Sequence, residues 1–321
     1  MSRARYLMGT VCEAVAYGDG AAGAIEAAFD EIARLEQVLS DYKADSDLSR
    51  LNRAAGRGAV PCPPDLYDFI TAAVGFSRET RGAFDITVGP IIDAWDLRGR
   101  GRVPSQAELR GALRRVGWSR IGLDDAARSV RLPEGTVLDP GGLGKGFALD
   151  AAARVLRSRG VTAALLDFGG QILAIGAPPG EEAWEVSVAH PLRRDEIALA
   201  LRLRDASIST SGNSEKGFEV AGRRLGHVVD PHSGLTVAAD ASATVIAPTG
   251  AEADACSTAL LVMGPDAGLR WAEERTRIAA LFLDVDRGGH LRAITTRSFD
   301  NFHPSLPGHG GAGADSMKGT R

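Results

Sequence analysis

The sequence predicts an α+β fold with mostly antiparallel sheets and flanking helices. Residues up to about 160 carry several stretches with the apolar spacing of a helix, while the remainder holds runs of adjacent short β-rich segments. Composition agrees with a large packed core: 321 residues are 44% hydrophobic and 24% charged, near globular averages, with no apolar run long enough to span a bilayer.

Residues 9 to 17 alternate loosely like a strand. Ile25, Ala28, Phe29, Ile32, Leu35, Val38 and Leu39 then recur at helical spacing, in a helix that ends near Asp41. A second helix follows Pro63 and Pro64, with Leu66, Phe69, Ile70, Ala73 and Val74 on its apolar face. Ser105 and Glu108 have the spacing of a capping box, which predicts a helix over 105–116. Residues 82–90 read as a strand bounded by glycines, and 147–159 as a helix. Candidate strands follow at 164–168, 172–175, 184–189, 197–203, 227–230, 243–247 and 278–285, with a helix over 252–263. The segment 206–212 reads as a hydroxyl-dense turn. No internal repeat or linker divides the chain, so one domain is expected over 1–297. A disordered tail is expected over 298–321, which is rich in Gly, Ser and Pro and poor in aliphatics.

Charge and cysteines narrow the function. A net charge of −4 argues against nucleic acid as a partner, and implies that any polyphosphate ligand brings a divalent cation. Cys12, Cys62 and Cys256 are far apart and odd in number, so neither a disulfide framework nor a zinc site follows. The first residues lack an apolar signal core and a lipid-attachment Cys, which as written predicts a cytoplasmic protein.

The richest stretch is 137–150, VLDPGGLGKGFALD. A strand ends at Asp139, a glycine loop carries Lys145, and a helix opens. Lys occurs only at 43, 145, 216 and 318, so its place in this loop stands out. Glycines admit a ligand close to the backbone, and a helix start favours an anion. The plainer alternative, a glycine-rich turn with a solvated Lys, stands level with a phosphate site on this segment alone. The stretch is not a P-loop, because Gly146 follows Lys145 where Ser or Thr belongs. A Rossmann fingerprint fails as well, with Phe147 at the third small position.

Further along, Asp254 and Thr258 lie four apart on one helix face, spaced to share a hard cation such as Mg²⁺. Alone, a helix-start carboxylate and a back-bonded threonine account for the pair more simply. His227, ahead of a short apolar run, is a candidate general base only if a phosphoryl-transfer centre lies nearby.

Taken in order, the segments resemble the ApbE family of flavin transferases. They are Met8-Gly9-Thr10, Tyr42 with 45–52, Ala83-Phe84-Asp85, 139–150, 207–212, 227–234 and 253–260, and the resemblance spans residues 8 to about 285. It implies an ApbE-like fold with an FAD site between the glycine loop and the late helix. It also implies Mg²⁺-dependent transfer of FMN from FAD to a threonine of an acceptor protein, with release of AMP. By this resemblance Met8, Tyr42, Ala83, Phe84, Asp85, Asp139, Lys145, His227 and Val228 contact or border FAD. Asp254 and Thr258 ligate Mg²⁺ together with the main-chain carbonyl of Gly142. Lys145 and the cation neutralise the pyrophosphate, His227 takes the hydroxyl proton, and Asp85 is the reserve base. Two rival functions remain at this point, an FAD pyrophosphatase that gives FMN and AMP, and an FAD-binding carrier without turnover.

Overall fold

The computed structural model describes residues 1–212, 218–220, 223–237, 240–286 and 288–306. Its first strands, β1 (Ser2–Leu7) and β2 (Thr10–Ala16), form a hairpin closed by Met8 and Gly9, both at positive φ. The period of two in β2 turns Cys12, Ala14 and Ala16 inward, against the apolar face of α1 (Ala21–Leu39). β1 escaped the sequence reading because Arg3 and Arg5 suit an exposed edge strand; Arg5 pairs with Glu26 and Asp30 of α1.

A short α2 (Asp47–Arg53) follows, N-capped by Ser46, then β3 (Ala59–Pro61) and α3 (Pro64–Glu79), which has the expected proline start. Next come α4 (Gly89–Trp95) and α5 (Gln106–Leu113). The Ser105–Glu108 capping box is present, with the Ser105 amide donating to Glu108 at 2.7 Å and the Glu108 amide to Ser105 at 3.3 Å. β4 (Gly122–Asp124) and β5 (Ser129–Arg131) join β3 in a small sheet ordered β3-β5-β4.

The second half carries α6 (Gly144–Ser158), β6 (Ala164–Phe168), β7 (Gln171–Ile175), β8 (Trp184–Ala189), β9 (Ile197–Leu203) and β10 (Ser207–Gly212). It continues with β11 (Phe218–Val220), β12 (Arg223–Leu225), β13 (Ala241–Ala247), α7 (Gly250–Glu273), β14 (Ala279–Val285) and β15 (Leu291–Thr295). The main sheet has the order β1-β2-β6-β7-β10-β13-β14-β15 and is antiparallel throughout, as the α+β reading requires. β8-β9 and β11-β12 are separate hairpins. Small residues on α6 (Ala148, Ala151, Ala152) and α7 (Ala253, Ala255, Ala259) are buried, which lets helices approach the sheet and one another closely. α7 breaks at Gly264 and Pro265, next to its expected end at Met263.

Several expected elements differ. Residues 83–88 form no strand: the Asp85 carboxylate takes the nearby Thr87 amide and the distant Trp118 amide, and the Thr87 hydroxyl takes the Gly117 amide, bonds that replace a ladder. Only Val137 of 137–139 makes a bridge, parallel to Val88, while the Asn52 side chain takes both the Leu138 amide (2.8 Å) and carbonyl (2.9 Å). In 227–230 the ladder is reduced to one bridge, Val229 with Thr236, flanked by bonds from Val237 N to Val228 O and from Asp230 N to Leu235 O, and Asp230 closes a turn by accepting from the His232 amide and the Ser233 hydroxyl. The supposed turn at 206–212 is β10. The first residues of the expected tail are ordered: 297–302 form a 3₁₀ helix, Phe299 is fully buried, and Ser305 exchanges backbone bonds with Ala200. The rest of that tail, from 307, lies outside the described residues.

Candidate functional site

The starts of α6 and α7 cross with almost no space between their backbones. A Cβ on Gly146 would stand 2.1 Å from the Gly250 carbonyl oxygen, and one on Gly250 would meet Gly146 O at 2.5 Å. Two carboxylates fasten this crossing. Asp150 of α6 accepts from the Gly250 amide at 2.6 Å and the Ala251 amide at 2.9 Å, and so caps α7. Asp254 of α7 reaches back and accepts from the Gly146 amide at 3.0 Å. Burial pushes the Asp254 carboxyl above its usual range, while the Lys145 ammonium, the Gly146 amide and the Ser209 hydroxyl hold it back.

One turn on from Asp254, Thr258 lies against the glycine loop. A Cβ on Gly142 would be 3.1 Å from Thr258 Oγ1 and 3.2 Å from the Phe84 ring. Gly142, Lys145, Asp254 and Thr258, far apart in sequence, therefore share one spot. Oxygen donors of this kind suit Mg²⁺, which binds through one or two protein oxygens and keeps waters and phosphate oxygens. Among the described residues no group of three His, Cys, Asp or Glu forms a metal cage.

The glycines serve close packing more than they form a cradle of free amides. Gly141 N donates to Asp139, Leu143 N and Gly144 N to Pro140 O, and Gly146 N to Asp254. Lys145, half-buried in the first turn of α6, carries the positive charge there. Met8 packs nearby, with its methyl 3.7 Å from a Cβ placed on Gly144.

β10 contributes residues that sequence reasoning read as a turn. Its alternation presents Ser209 and Ser211 to α7, where Ser211 Oγ lies 3.1 Å from Thr258 Oγ1 and 2.9 Å from Ser257 Oγ. The Ser-x-Ser-x-Ser spacing of 207–211 was the available signal, since alternate hydroxyls in a strand share one face.

Asp139 sits at the other side of the loop, paired with Arg98, which also binds Asp41 (2.7 Å) and Asp93 (2.8 Å). Burial raises the Asp139 carboxyl to about 6 against the pull of Arg98, with Asp41 adding to the rise. Tyr42 is exposed beside this cluster, and Ala83 and Phe84 are buried.

The Asp85 carboxylate is taken up by local bonds. It accepts from the Thr87 amide (2.8 Å), the Thr87 hydroxyl (2.7 Å) and the Trp118 amide (3.1 Å), and burial raises its pKa. His227 and Val228 are half-buried just before the Val229–Thr236 bridge. The turn of that bridge brings His232 within 3.4 Å of a Cβ on Gly82, beside Asp85.

Fold and site thus bring hard oxygen donors and one ammonium together at two helix starts, an arrangement whose chemistry suits a hard cation and an anion. The ApbE family model matches residues 8–282, and the chain belongs to that family. The FAD:protein FMN transferase of Treponema pallidum (strain Nichols) is 32% identical over 307 residues, 89% of this chain and 85% of that protein. That of Escherichia coli (strain K12) is 31% identical over 275 residues, 83% of this chain and 78% of its own length. Among solved structures, the apo form of Pseudomonas stutzeri flavinyl transferase ApbE superposes with a TM-score of 0.81 at 30% identity, covering 94% of this chain and 96% of that one. The ApbE protein of Thermotoga maritima gives 0.85 at 29% identity, covering 94% and 98%. No helix among the described residues is long and apolar enough to cross a membrane.

Proposed function

We propose that the chain is an FAD:protein FMN transferase, which moves FMN from FAD to a threonine hydroxyl of an acceptor protein and releases AMP. The observation that carries this reading is the meeting of the glycine loop with α7, where Gly142 abuts Thr258 and the Gly146 amide holds Asp254. The family relatives named as FMN transferases support the substrate and the class of reaction.

In this reading Asp254, Thr258 and the Gly142 carbonyl hold Mg²⁺, which when bound withdraws charge from the pyrophosphate. Lys145 binds the same diphosphate and offsets charge that builds on its oxygens as the bond to AMP breaks. The acceptor hydroxyl oxygen forms its new bond to the FMN-side phosphorus, the bridging P–O bond breaks towards AMP, and His227 takes the hydroxyl proton. Asp85, with its carboxylate engaged by Thr87 and Trp118, holds the 82–88 segment against the site and is the less available base. Phe84, Met8, Tyr42, Asp139 and Val228 shape the flavin site.

The test incubates the protein with FAD and Mg²⁺, with and without a threonine-bearing acceptor peptide. An FMN-sized mass gain on the peptide and an equal yield of AMP are expected, and both should disappear in Asp254→Ala. Free FMN with an unmodified peptide would make the protein a pyrophosphatase. AMP release by Asp254→Ala at the wild-type rate would reject the metal assignment.

A further inference from the structure

Ser209, Ser211 and Ser257 touch the candidate cation site without belonging to its donor set, and their hydrogen bonds can be given a direction. Ser257 is fully buried and Ser209 nearly so, which means that each proton has a definite destination inside the protein. Ser257 Oγ lies 3.0 Å from the Asp254 main-chain carbonyl and 3.3 Å from Ser209 Oγ. A carbonyl only accepts, so the Ser257 hydroxyl is the donor of the shorter contact. The single Ser257 proton is therefore committed to the Asp254 carbonyl, with the longer Ser209 contact as the weaker branch of the same donation.

With that proton committed, the 2.9 Å contact between Ser211 and Ser257 has Ser211 as donor. The Ser211 proton is then spent as well, so the 3.1 Å contact between Ser211 and Thr258 has Thr258 as donor. Thr258 consequently points its proton towards β10 and keeps both lone pairs for the side where the Gly142 backbone lies.

We infer that Ser257 and Ser211 are positioning residues: they form a one-way hydroxyl relay that fixes the Thr258 proton away from the cation and leaves its oxygen a ready ligand. This rests on the reading of Asp254 and Thr258 as cation ligands. A mid-helix threonine otherwise often donates to the carbonyl four residues back, which here is that of Asp254 and is already occupied by Ser257. Ser257 Oγ bonds to the Asp254 main-chain carbonyl and to serine hydroxyls, not to Thr258 Oγ1, so it reaches the threonine oxygen through Ser211.

The test titrates Mn²⁺ alone into the full-length protein and counts the free ion by electron paramagnetic resonance, next to the unfolding midpoint without metal. Ser257→Ala frees the Ser211 proton to turn on Thr258, and Ser211→Ala removes the acceptor. Each is expected to weaken Mn²⁺ binding roughly tenfold, the scale found when partners of metal ligands are lost. Ser211→Thr keeps the hydroxyl and is expected to retain wild-type affinity and to report on the relay should an alanine variant fail to fold. Wild-type Mn²⁺ affinity in Ser257→Ala or Ser211→Ala, or a tenfold loss in Ser211→Thr with an unchanged midpoint, would overturn the relay. Asp254→Ala separates the two levels. If it too binds Mn²⁺ normally, the site reading falls; if it alone loses binding, only the relay does.

Discussion

Replacing Gly146 by Ala adds one carbon where two helix backbones already touch. That carbon would lie 2.1 Å from Gly250 O and 2.4 Å from Gly250 C, against the ~3.5 Å at which carbon contacts turn favourable. The helices have to part by roughly 1 Å, and because the obstacle is main chain, no rotamer relieves it. Overpacking of this kind costs about 1–3 kcal/mol. Parting the helices also stretches the Gly146–Asp254 bond, whose acceptor is a carboxylate and whose loss is worth about 1.5–3 kcal/mol. A total near 3 kcal/mol lowers Tm by about 6–12 °C in a protein somewhat smaller than this one. Gly144, in the same helical turn, is the control: its added carbon meets only Pro140 Cβ at 3.5 Å and Met8 Cε at 3.7 Å, so Tm should move by less than about 3 °C. Calorimetry on the two variants decides the matter. Equal midpoints for Gly146→Ala and wild type would refute the claim that backbone contact sets the helix crossing.

Phe299 is fully buried among Leu199, Leu201, Leu281 and Leu283, so Phe299→Ala should cost about 3–5 kcal/mol in urea unfolding. Wild-type stability would return residue 299 to a loose tail. Asp139, raised to about 6, is protonated in the folded chain between roughly pH 4 and 6 while its unfolded counterpart is ionised. Its contribution is therefore full below about pH 4 and is lost as pH rises through 6. The stability of Asp139→Asn relative to wild type should climb across that window by up to about 3 kcal/mol and level off above it; a flat difference from pH 4 to 7 would place the proton elsewhere.

Strands β6, β8 and β9 match their sequence-based bounds because alternating burial over five to seven residues writes itself into composition. The capping box is equally legible, since Ser105 and Glu108 satisfy each other locally. What the sequence concealed depends on distant partners. Nothing near Leu138 announces that Asn52 would take over both of its backbone bonds, and nothing in 207–211 says that the serines face α7. Phe299 looked like part of a polar tail because its cavity is lined by residues far upstream. At the site, the residue types and their order were readable, and the resemblance brought the segments together. Of the glycines, Gly142 and Gly146 are small where α7 comes close, and the amides of Gly141 and Gly146 already have acceptors, neither of which the sequence could display.

The bond from Gly146 to Asp254 spans 108 positions of the chain. During synthesis at about 5–20 residues per second, the nascent polypeptide therefore carries the glycine turn for roughly 5–20 s before the aspartate that completes it has been made. The crossing of the two helix starts is thus closed only after translation has passed the second of them.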